Sequence, residues 1–216
     1  MIRRYQFPLP CLLAALALAI QACTVLAPRP DTSRFFLLTP GEDASAVSSP
    51  PASPNRQLAI GVGPVGLPGY LRRPEIVSRT GADQLVLSAQ DRWAEPLDSN
   101  FESVLAQDLS RKLQTQQIVL FPWYGNPQLD YRVEVEVHRF DSGPDGQAHL
   151  TADWTIKDGH TGATMFASRT VASSPIGGGD AGVPAALSLD LDTLSDQIAG
   201  QIVGLNRNHA TIPQAE

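Results

Sequence analysis

The sequence predicts an α+β fold, an antiparallel sheet of about five to seven strands with two amphipathic helices packed on one face. Two observations carry this. Two neighbouring runs, Tyr131–Phe140 and Ala148–Lys157, alternate apolar and polar residues with a period of two, as strands with one buried and one wet face do. Two other runs carry apolar stripes at helical spacing: Phe101, Val104, Leu105, Leu109 and Leu113 in the first, and Leu187, Leu191, Leu194, Ile198, Ile202 and Leu205 in the second.

In chain order, Arg34–Leu38 (RFFLL) reads as a short buried strand. Residues 39–56, rich in Pro and Ser, form a surface loop inside the domain. Leu58–Val65 is a second strand, in which Gly61 and Gly63 suggest close backbone approach. Leu67–Arg73 is a turn presenting Tyr70 and Leu71 to solvent. Glu75–Thr80 and Gln84–Ser88 flank Gly81-Ala82-Asp83 as a hairpin. The first helix spans Asp98–Leu113, opened by Ser99 and Glu102 at capping-box spacing. Ile118–Phe121 follows as a strand. The two alternating runs are joined by a turn at Asp141–Gly146. Ala163–Ala172 is the next strand, Gly177–Gly182 a glycine-rich loop, and Pro184–Leu205 the last helix.

The N-terminus reads as an export signal. Arg3 and Arg4 precede a 14-residue run from Leu9 to Ala22, broken only by Pro10 and Gln21. As a helix it would reach about 21 Å against a hydrocarbon core of roughly 30 Å, too short to span. Ile20-Gln21-Ala22-Cys23 resembles the bacterial lipobox, in which a small residue before the cysteine admits the peptidase and the thiol takes a diacylglyceryl group. The alternative is an ordinary leader with Cys23 incidental. Of two cysteines, Cys11 leaves with the leader, so the mature chain would hold one thiol at its first position and no internal disulfide. Acylation removes a free thiol that an oxidising compartment would attack. By analogy with enteric sorting, Thr24 after the cysteine points to the outer membrane. The expected organisation is therefore leader 1–22, lipidated Cys23 and tether 23–33, domain 34–206 and a flexible tail 207–216.

Charge excludes some partners. Without Arg3 and Arg4, 14 basic residues face 22 acidic ones, a net charge of −8, and no basic patch suits nucleic acid or anionic headgroups. No catalytic or metal-binding constellation is apparent. His138, His149, His160 and His209 lack metal-ligand spacing, although His138 and His149 could face one another on the wet side of the hairpin. Asp190-Leu-Asp192 lacks the glycine and terminal glutamate of a calcium loop, and its acids read as favouring the first half of a helix. Gly177-Gly-Gly-Asp180 lacks the Lys-Ser/Thr of a phosphate loop. No catalytic, cofactor or metal site is expected beyond the covalent lipid on Cys23.

The informative residues are apolar ones at turns: Leu67, Tyr70, Leu71, Trp93 and Trp123. Either they plug the open ends of the core or they form a contact surface for another protein, since aromatics at loop tips anchor interfaces.

Several segments resemble the PqiC-type ABC-transport auxiliary lipoproteins, the lipoprotein component of the paraquat-inducible class of MCE-domain lipid transport systems. They are Arg34–Leu38, Ile60–Val77 (IGVGPVGLPGYLRRPEIV), Arg92–Leu97 (RWAEPL), Phe121-Pro-Trp123, and Tyr131–Phe140 with Trp154 in its partner strand. Arg72 and Glu75 stand where Asp and Gln are expected. The resemblance implies a non-catalytic domain moored to the inner leaflet of the outer membrane, docking a periplasm-spanning MCE-domain protein (PqiB-type) and, through it, an ABC permease and ATPase. It also implies support of membrane integrity and a ring-like homo-oligomer. The other functions weighed are a lipid-binding carrier, which needs an apolar cavity between sheet and helices, and a periplasmic hydrolase, which needs polar groups converging in a pocket.

Overall fold

In the computed structural model, the described residues are 31–41, 58–125, 127–178 and 181–211. The leader, Cys23, most of the tether and most of the 39–56 loop lie outside them. Ser33–Glu216 forms the compact body.

Its sheet is built around one long hairpin. Strands β6 (Tyr131–Ser142) and β7 (Gln147–Asp158) pair antiparallel, with Val133 opposite Ile156, Val135 opposite Trp154 and Phe140 opposite Leu150. All six side chains are buried, as the period-two pattern requires. The turn closes where Gly146 takes φ 73°, a left-handed backbone open to glycine at no steric cost. The register slips between Val137 and Arg139. This bulge puts His138 off the ladder and turns Asp141 and Ser142 inward. Strand β8 (Thr164–Pro175) continues the meander against β7.

The other edge of β6 is shared by two short wings. Against its first half lies β2 (Ile60–Gly66), parallel, with β5 (Ile118–Leu120) parallel outside it. At its last residue Ser142 pairs with Ser78 of β3 (Glu75–Arg79). Then come β4 (Leu85–Trp93), antiparallel to β3, and β1 (Arg34–Phe36), parallel to β4. The described residues thus form a mixed eight-stranded sheet, which corrects the expected antiparallel sheet of five to seven strands. An alternating strand presents the same side-chain pattern whichever way its neighbour runs, so direction is not written in the period. The hairpin of β3 and β4 stands as expected, but β4 runs on to Trp93. Arg34–Leu38 is an edge segment rather than a buried strand: Leu38 enters the core, while Phe35 and Leu37 face solvent.

Helix α1 (Leu97–Lys112) packs against β2, β5 and the second helix, and α2 (Gly182–Thr211) against β6, β7 and β8. Phe101 of α1 meets Phe140 of β6 edge-on, ring centroids 5.3 Å apart. Both stripes are buried as expected, except that Leu113 and Leu205 are only partly covered. The capping box does not form. The helix starts at Leu97 behind Pro96, with no side-chain cap, and Glu102 turns inward beside Gly63 and Phe121. Helix α2 continues through Thr211, so 207–211 is helical rather than a free tail. The chain leaving β1 crosses both helices, held by polar side chains. Leu38 N–H donates to Asn100 Oδ1 at 2.6 Å, Thr39 N–H to Ser188 Oγ at 3.1 Å and Gly41 N–H to Asp108 Oδ1 at 3.1 Å.

The acids of Asp190-Leu-Asp192 lie in the first half of α2, as expected, but both are engaged by neighbouring side chains. Asp192 pairs with Lys112 at 2.7 Å, and Asp190 is fully buried. Ser174 Oγ donates to its Oδ1 at 2.7 Å, while Oδ2 has no partner among the described residues. Burial pushes its carboxyl up to about 6 from an ordinary 3.8. A carboxyl raised in the folded state holds its proton longer there, so folding is favoured below pH ~4 and loses that advantage as pH rises through ~6. Asp190→Asn is therefore expected to flatten the melting temperature between pH 4 and 7. Relative to the variant, the parent should lose on the order of 2 kcal/mol over that range, as thermal melts followed by circular dichroism would show.

Candidate docking surfaces

The five apolar turn residues do not form one surface. Leu67, Leu71 and Trp93 are core residues, 4%, 2% and 6% exposed. Of Leu67–Arg73, Gly69–Leu71 forms a single 3-10 turn that folds Leu71 inward, and Trp93 ends β4 with its N–H on Pro74 O. The expectation that Leu71 faces solvent is thus corrected, and these three side chains plug the open end of the core.

Tyr70 is half-buried and belongs to a charged cluster. Asp141 is fully buried and accepts from Tyr70 Oη at 3.0 Å, Arg79 Nη2 at 3.0 Å and Arg139 Nε at 2.9 Å. The Arg79 guanidinium also lies over the Tyr70 ring, 5.8 Å from its centroid. Burial first, and the Asp141 carboxylate next, raise the Tyr70 hydroxyl above its ordinary pKa. The cluster fastens the β3 wing to the end of β6 at the one place the two strands meet.

Trp123 is the residue of the five that joins an apolar surface. Its indole N–H donates to Val119 O at 3.2 Å, and the Arg132 guanidinium lies 5.2 Å from the ring centroid. Phe121 meets it edge-on at 5.4 Å. At and beyond the end of β5 the chain exposes Leu120, Phe121 and Tyr124, the last 86% accessible. The corner is thus one half-buried indole held in place and three apolar side chains open to water. Sequence reasoning found Trp123 and missed its neighbours, although the run Phe121-Pro-Trp-Tyr-Gly125 was a visible signal.

A second feature is an open cleft of about 390 Å³ lined by Arg72, Arg73, Pro74 and Trp93–Asp98. It brings together two loops distant in sequence, both from segments that carried the family resemblance. Its lining mixes apolar residues with the two arginines and with Glu95 and Asp98.

Among the described residues His138 and His149 pair with nearby acids. His138 Nε2 lies 2.8 Å from Asp153 Oδ2 and His149 Nε2 3.0 Å from Asp145, so the two imidazoles do not meet across the hairpin. Arg169, then His138, hold the Asp153 carboxyl far below the usual range. Among the described residues no group of three His, Cys, Asp or Glu is arranged for a metal ion, and no helix is long and apolar enough to cross a membrane. Between sheet and helices, where a carrier would need a cavity, Phe101, Phe140, Leu150, Leu191, Leu194 and Ile198 are all fully buried.

The family model for the ABC-type transport auxiliary lipoprotein component matches residues 36–199. The chain belongs to this family. The auxiliary component shares its fold with the protein XCC0632 from Xanthomonas campestris, at TM-score 0.66 and 16% identity over 83% of this chain and all of that one. A second crystal structure, of an uncharacterised protein, is similar at TM-score 0.62 and 20% identity over 79% of this chain and 98% of the other. No curated protein matches. The family is one of lipoproteins that serve as auxiliary components of ABC-type transport, which implies an envelope location and partners in a transport system.

Proposed function

We propose that this chain is a non-catalytic outer-membrane lipoprotein, acylated at Cys23, that docks a periplasm-spanning MCE-domain protein of an ABC-type lipid transport system and so supports membrane integrity. Its family membership and the lipobox at Ile20–Cys23 support the mooring. The observation that carries the docking is the aromatic corner. Trp123 is fixed by its hydrogen bond and by Arg132, while Phe121 and Tyr124 stand open beside it. Rigid aromatics lose little conformational entropy on binding and dominate interface energetics.

The test is capture from detergent-solubilised envelope by the natively acylated protein. The wild type should retain an MCE-domain protein, and Phe121→Asp with Tyr124→Asp should reduce capture at least tenfold, about 1.4 kcal/mol, with an unchanged melting temperature. Undiminished capture by a folded double variant places the contact elsewhere.

A further inference from the structure

The edge strand β1 places an exposed apolar pair where the tether enters the body. Phe35 and Leu37 are 62% and 47% exposed, on the same side of an extended chain, because alternate residues share a face. They are rigidly held. The β1 backbone is laddered to β4, with Phe35 opposite Arg92 and Phe36 opposite Trp93. One residue on, Leu38 is in the core with its N–H on Asn100. The charges around the pair cancel: Arg34 is bonded to Asp91 at 2.6 Å and Arg92 to Glu75 at 2.9 Å.

We infer that Phe35 and Leu37 rest in the phospholipid interface beside the anchor, so that β1 sets how the body stands on the membrane. This rests on acylation of Cys23. Phe35 is 12 residues beyond that cysteine, and whatever path the tether takes, 12 residues span at most ~43 Å. A body of this length has a radius of gyration of ~16 Å, so the reach is about one body diameter. The β1 end is the part of the body on the shortest leash from the bilayer, and it is there that the fold leaves two large apolar side chains uncovered. A polybasic contact draws on anionic lipid and fades with salt. Here the neighbouring charges are paired, so the contact is apolar and holds on zwitterionic lipid.

The mature chain's single cysteine would be acylated, which leaves an introduced one free for labelling. Full-length, natively acylated Leu37→Cys and Val171→Cys, the latter at a 72% exposed position on β8, are labelled with an environment-sensitive fluorophore. They are placed in phosphatidylcholine vesicles containing spin-labelled lipid. The label at 37 should shift blue and be quenched several-fold more than the label at 171, at low and high salt alike. Phe35→Asp should diminish that quenching without releasing the protein from the vesicles. Equal quenching at both positions in an acylated, vesicle-bound chain overturns the inference and leaves the anchor standing. Quenching that requires anionic lipid, or a blue shift that appears only with envelope proteins, overturns it too. A chain whose intact mass shows bare Cys23 overturns the anchor and this contact together.

Discussion

Replacing Asp141 with alanine is expected to cost about 3–5 kcal/mol, the range for breaking a buried ion pair on one side. Arg79 and Arg139 both converge on this fully buried carboxylate, and Tyr70 donates a further hydrogen bond to it. Without it two guanidiniums face one another with nothing between them. The damage is also placed at a weak joint. The one laddered pair between β3 and β6 is Ser78 with Ser142, whose hydroxyls lie 2.7 Å apart. Against a total of ~5–15 kcal/mol for a domain, the loss should move the urea midpoint far down. Tyr70→Phe removes only one hydrogen bond to the carboxylate and should cost about 1.5–3 kcal/mol, which makes it the milder control. A near-neutral Asp141→Ala in urea unfolding contradicts the role assigned to the cluster.

Replacing Cys23 with serine is expected to move the protein wholly from the membrane to the soluble periplasmic fraction. A buried acyl chain contributes ~0.8 kcal/mol per methylene, and several chains together hold where one is marginal. Among the described residues no helix offers a substitute span. The melting temperature should not change, because Ser33–Glu216 forms a compact unit with its own core. Envelope fractionation and calorimetry read the two effects independently. A serine variant that stays membrane-bound refutes the anchor.

Much of the fold was legible because burial writes itself as periodicity. The hairpin Tyr131–Asp158 and both helix stripes could be placed from spacing alone. What spacing cannot convey is the neighbour. Ile60–Gly66 and Ile118–Leu120 read as strands, but that the first runs parallel beside β6 and the second parallel beside the first depends on chain paths through α1 and the intervening loops. Capping failed for a related reason. Ser99 and Glu102 satisfy a local pattern, yet Pro96 starts the helix earlier and Glu102 is drawn inward beside Gly63. The docking residues were half legible. Composition put Leu67, Leu71 and Trp93 at turns, where apolar residues suggest contact, but the 3-10 turn and the extension of β4 swing them into the core. Conversely Phe35 and Leu37 sit in a five-residue run that reads as buried, and only the edge position of β1 turns two of them outward. Asp141 and Asp190 gave no signal, since a lone acid in a strand or helix looks solvated until its neighbours are known.

The most direct test of the docking account is a photo-crosslinking residue at Tyr124, introduced into the natively acylated protein in intact envelopes. The account predicts a covalent adduct with a periplasm-spanning MCE-domain protein, and none from the same residue at Leu189, an exposed position on α2. Adducts from Leu189 but not from Tyr124, or adducts from Tyr124 only to unrelated proteins, would contradict it.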